Sequence, residues 1–90
     1  MEEYRPASLV ISVAGRDKGK MFIITGRIDE DYVYISDGKM RRAEKPKKKK
    51  IKHLRLIEEE IEFIARRMSE NNKVTNSELR KTINNYIENT

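Results

Sequence analysis

The sequence predicts a mainly β fold with an α appendage: five short strands curled into a small barrel, then a C-terminal helical hairpin. Three observations predict it. Through the first half, short apolar runs alternate with polar residues between turn signals, and no helical spacing intervenes. From residue 57 onward the apolar period becomes that of a helix. A capping box at Thr75 and Glu78 then opens a second helix. The 90 residues bound the answer to one domain, or one small domain with an appendage. Leu, Ile, Val and Phe number 21, about 23% of the chain, enough for a small core. The division falls between a barrel at 1–55 and a two-helix extension at 56–90.

Residues 8–14 alternate, with Leu9, Ile11 and Val13 on one face. Residues 21–28 are rich in β-branched and aromatic side chains, and Gly26 among them marks a bulge or sharp bend. Tyr32–Ser36 alternates again, the tyrosines on one face and Val33 and Ile35 on the other. Turn signals separate these runs: AGRDKG, RIDED, and Asp37-Gly38, whose type I′ signature predicts a two-residue hairpin. A fourth strand is expected to start near Lys39. Pro46 and the following lysines read as a loop, and IKHL at 51–54 as the returning fifth strand. An antiparallel sheet of some fifty residues must curl to bury its apolar face.

Ile57, Ile61, Ile64 and Met68 recur at helical spacing, and Asn71-Asn72 is expected to break that helix. Val74 and Leu79 occupy the staple positions around the capping box, and Leu79, Ile83, Tyr86 and Ile87 continue the stripe. Each helix alone is marginal and needs a surface: the other helix, the open side of the barrel, or a partner chain.

Composition narrows the function. Charged residues are 39% of the chain and hydrophobic ones 37%, which leaves little interior for a large substrate pocket, so the chain reads as non-enzymatic. The absence of cysteine excludes disulfide frameworks, zinc ribbons and thiol catalysis. The single His53 excludes multi-histidine metal sites, and no cofactor is expected. The opening MEEYRP is acidic without an apolar region, and no apolar run approaches ~18 residues, so a soluble cytoplasmic protein is expected. The net charge of +5 is uneven: residues 39–55 carry ten basic residues and one acid, Glu44. Such a block favours a polyanion such as nucleic acid over an anionic membrane, an acidic protein or a solvated linker.

The most informative segment is ISVAGRDKGKMFII at 11–24: a strand, a glycine-bracketed basic loop, and a second strand. Gly15 and Gly19 can take positive φ and let a ligand approach the backbone. Arg16, Lys18 and Lys20 surround them with charge, and Asp17 is expected to turn the chain through its side chain. A strand follows the loop where a P-loop would have a helix, which excludes that motif. In order after it come DEDYVYI, DGKMRR and PKKKKIKHL. Residues 8–54 thereby resemble the KOW domain, and especially the ribosomal protein L-fourteen-e family with its stand-alone bacterial relatives. The resemblance implies a five-stranded SH3-like barrel that binds RNA through the loop around Gly19 and adjoining basic loops. Residues 56–90 lie outside it.

The expected RNA contacts are therefore Gly15, Arg16, Lys18, Gly19 and Lys20, with Arg41, Arg42, Lys45, Lys47, Lys48, Lys49, Lys50 and Lys52 as a sequence-independent phosphate clamp. PKKKK could also be a nuclear address in a eukaryote, and nothing else in the chain supports that. Tyr32 and Tyr34 can stack on unpaired bases, but half-buried strand residues covering the barrel or facing the helices explain them better. His53 reads as a strand-end residue. Asp29, Glu30 and Asp31 sit where a turn is needed and lack the ligand spacing of a calcium loop. Together with the resemblance, these residues imply an RNA-binding protein associated with the ribosome or translation, its partner a ribosomal or other structured RNA. The alternative is an adaptor whose barrel docks on a transcription or translation complex and whose helices recruit a protein. A membrane-surface role is disfavoured, because the helices mix acids with bases on their polar faces.

Overall fold

The computed structural model describes residues 3–70 and 73–89. Five strands form one antiparallel sheet: β1 (Leu9–Ser12), β2 (Met21–Arg27), β3 (Tyr32–Ser36), β4 (Lys47–Lys50) and β5 (Leu54–Glu58), in the order β4-β3-β2-β1-β5. One 3₁₀ turn, Ile51–His53, joins β4 to β5 from one edge of that order to the other. In a flat sheet the two edges would stand roughly 19 Å apart. The chain from Lys50 to Leu54 reaches at most about 14 Å. The sheet therefore curls. Among the described residues no ladder between β4 and β5 closes it, so the barrel is open.

Curling gives the sheet two buried sides. Inside lie Val10, Phe22, Ile24, Val33, Ile35 and Leu54, the alternate residues of their strands. Outside, Leu9 and Ile23 pack with Ala7 against Ile64, Leu79 and Ile83 of helices α1 (Glu62–Ser69) and α2 (Asn76–Glu88). β1 and β2 are thus buried on both faces. That explains why LVIS and MFIIT read as nearly continuous apolar runs. The expected single face of Leu9, Ile11 and Val13 is corrected accordingly: Val10 is wholly buried, and Val13 stands exposed where the strand has ended. The expected bulge is present, with the β2–β3 register shifting between Ile24 and Gly26.

The helical part departs from expectation at Ile57 and Ile87 and agrees with it at the capping box and the staple. The Ile57 stripe is not one helix, because Leu54, Arg55, Leu56 and Glu58 pair with β1 and hold Ile57 in β5. The chain then kinks at Glu60 (φ 44°), whose amide donates to Ser8 Oγ at 3.1 Å. Ile57, Ile61, Ile64 and Met68 nevertheless all join the outer core, so the stripe reports the destination rather than the geometry. The surface that receives the helices is the sheet. The capping box forms as expected: the Glu78 amide donates to Thr75 Oγ1 at 3.1 Å, and the Thr75 amide donates to Glu78 Oε1 at 2.9 Å. Leu79 is buried beside Val74, as the staple requires. Ile87 departs from the stripe and is exposed. The expected break at Asn71-Asn72 lies outside the described residues.

The basic segment departs most from expectation. No strand starts at Lys39, and Asp37-Gly38 does not form a two-residue turn. The loop runs on to Pro46, with Asp37 Oδ1 accepting the amides of Lys39 and Arg41 at 2.9 and 3.0 Å. The lysines after Pro46 are strand β4 rather than loop, in register from Ile35↔Lys47 to Tyr32↔Lys50. The unpaired backbone of β3 needs a partner, and that need overrides the weak strand propensity of lysine. IKH at 51–53 makes the 3₁₀ turn, and the fifth strand begins at Leu54.

Candidate nucleic-acid interface

The β1–β2 loop folds through its own backbone. The Lys18 amide donates to the Gly15 carbonyl at 3.2 Å, that of Gly19 to Ser12 at 2.8 Å, and that of Lys20 to Asp17 at 2.9 Å. Gly15 and Gly19 both take positive φ, 79° and 88°, as their positions in the motif require. Arg16, Lys18 and Lys20 stand exposed around them.

Asp17 does not turn this loop with its side chain. Its buried carboxylate accepts Lys47 Nζ at 2.9 Å, and Arg41 Nη2 approaches at 3.8 Å. The hydrogen bond from Lys47 holds the Asp17 carboxyl below its ordinary range, with further attraction from Lys47, Arg41 and Lys49 against the opposing effect of burial. One carboxylate thus ties the GRDKGK loop to the 37–46 loop and to β4. Lys49 lies beneath, only 8% exposed, its Nζ 3.4 Å from the Ala14 carbonyl. A side chain on Gly15 would meet that ammonium at 3.6 Å.

The expected contact residues therefore divide. Gly15, Arg16, Lys18, Gly19, Lys20, Arg41 and Lys47 gather at one end of the barrel around Asp17, with Lys49 buried under them rather than facing solvent. Lys48 and Lys50 alternate to the opposite side of β4. There they lie over the Tyr32 ring, 4.6 and 5.7 Å from its centre. Tyr32 and Tyr34 face neither the inner core nor the helices. Arg42 is tied to Glu44 at 2.9 Å. That hydrogen bond and one from Asn76 hold the Glu44 carboxyl at about 2. Lys45 and Lys52 are exposed and separate from the loop cluster. Asp29 caps its own turn, its Oδ1 accepting the Asp31 and Tyr32 amides at 2.8 Å.

Arg80 is the residue that sequence reasoning missed. It reaches from α2 and donates to the Gly38 carbonyl at 2.6 Å. It then borders an open groove of about 460 Å³ that also holds Lys20 and Lys39 on its rim. No local signal distinguished Arg80, since it sits among balanced charges on a helix. The helix N-terminus also braces the basic loop, the Ala43 amide donating to Asn76 Oδ1 at 2.7 Å.

This end of the molecule offers fixed cations and close backbone, suited to gripping phosphate. Among the described residues there is no cluster of three or more His, Asp or Glu that could hold a metal, and no helix long and apolar enough to cross a membrane. No protein-family model matches the chain, and no curated protein matches it.

Proposed function

We propose that this chain is a non-enzymatic RNA-binding protein that grips phosphates with the GRDKGK loop and the basic segment at 39–55. The observation that carries the proposal is the Asp17 junction. Residues thirty positions apart, the loop and Lys47, are locked together at 2.9 Å. The junction's single acid is consumed internally, while Arg16, Lys18 and Lys20 remain exposed. A merely solvated charge run would need no such anchoring. Clustered cations on rigid backbone, flanked by glycines, fit a phosphate chain. The resemblance of residues 8–54 to the KOW domain supports RNA as the polyanion, and supports association with the ribosome or translation in the cytoplasm.

Charge reversal at Lys20 tests this directly, because its side chain is exposed and its loss leaves the core intact. Lys20→Glu is expected to weaken binding of a structured RNA about tenfold with no change in melting temperature. Unchanged RNA affinity would remove the loop from the interface.

A further inference from the structure

The outer face of β3 and β4 carries a second arrangement, on the side of β4 away from the Asp17 junction. Cross-strand register sets Tyr34 opposite Lys48 and Tyr32 opposite Lys50, so two tyrosines and two lysines alternate on one exposed face. Both ammoniums lie over Tyr32, and among the described residues neither forms an ion pair. Tyr34 is left 41% exposed. It is seated over Gly26, its cross-strand partner at the β2 bulge, where an added Cβ would stand 3.5 Å from the Tyr34 ring. The ring therefore lies within van der Waals reach of the sheet at Gly26. Glu30 and Asp31 border only the Lys50 end of this face.

We propose that this face is a stacking platform for an unpaired base of the bound RNA, with Tyr34 under the base and Lys48 beside its phosphate. The proposal rests on the RNA-binding reading and assigns it a preference for single-stranded segments. An aromatic ring flanked by unpaired ammoniums matches a nucleotide, which joins a flat apolar base to an anionic phosphate. A duplex hides its base faces, so only an unpaired strand can use Tyr34. Lys48 and Lys50, held close to Tyr32, mark where the phosphates run.

The full-length chain and three RNAs test it: a single-stranded oligouridylate, a hairpin with a single-stranded overhang, and a blunt duplex. Tyr34→Leu keeps an apolar cover over Gly26 and is expected to lower oligouridylate affinity by about 5- to 150-fold, the range for losing one base–aromatic stack. Duplex affinity and melting temperature should stay as they were, and Tyr34→Phe should restore the loss. The chain has four tyrosines and no tryptophan, so stacking is also expected to quench part of its tyrosine emission. Equal loss on all three RNAs, or none on oligouridylate, would overturn the platform while leaving the phosphate grip standing. No binding of any of the three RNAs by the unaltered chain would overturn both.

Discussion

Asp17 shows how one buried carboxylate can organise a basic surface through its internal partners. Its side chain is 9% exposed and accepts its hydrogen bond from Lys47, itself about one-third exposed. A charged hydrogen bond in that setting contributes roughly 1–2 kcal/mol after solvent screening. Because the folded carboxyl is held below its usual range, that contribution is present at neutral pH. It is lost as pH falls below about 4. Asp17→Asn should therefore lower stability near neutrality, and the gap to the unaltered protein should close in acid. A gap that is constant with pH would mean that the pair does not stabilise the fold. Two glycines give a second comparison. A methyl on Gly38 (φ 82°) would collide with the Asn76 carbonyl of α2, whereas one on Gly19 (φ 88°) meets nothing within 4 Å. Gly19→Ala should cost about 1 kcal/mol from backbone strain alone, and Gly38→Ala distinctly more, in thermal unfolding. Equal costs would deny the close packing of α2 on the basic loop. The need for positive φ at Gly15 and Gly19 was legible in GRDKGK. The partners of Asp17 were not, because no local pattern encodes a contact across thirty residues.

At the scale of elements, the helices are half of the outer core rather than an attachment. Ile64 and Leu79 are wholly buried and Ile83 nearly so, against Ala7, Leu9 and Ile23 of the sheet side. Ile64→Ala should cost ~2–5 kcal/mol, a large fraction of the stability of a domain this small. Ending the chain after Glu59 should abolish cooperative unfolding. A truncated chain that melts with the full one would show that the barrel does not depend on this packing. β2, β3, the Gly26 bulge and the capping box could be read directly from the sequence, because period, turn chemistry and capping are local. β4 and the start of β5 could not. KKKK carries no strand signal, and its conformation is decided by the free edge of β3. Ile57 fits a helical stripe equally well whether the residues before Ile61 are helical or extended, and only pairing with β1 chooses.

At the scale of the whole molecule, charge and core are segregated. Residues 51–90 are neutral in total, while the excess of +5 resides in residues 1–50. The structure places that excess at the Asp17 end of the barrel and on the outer face of β4. Fixed cations at separate places on a rigid body can follow a folded RNA backbone and release its condensed counterions. The number of cations that such a contact engages is countable from outside. The most direct test of the central claim is the affinity for a structured RNA measured across a salt series. If four to six of the exposed cations touch phosphate, log affinity should fall against log salt with a slope of about −3 to −5. A slope near zero, or no binding even at low salt, would contradict the account.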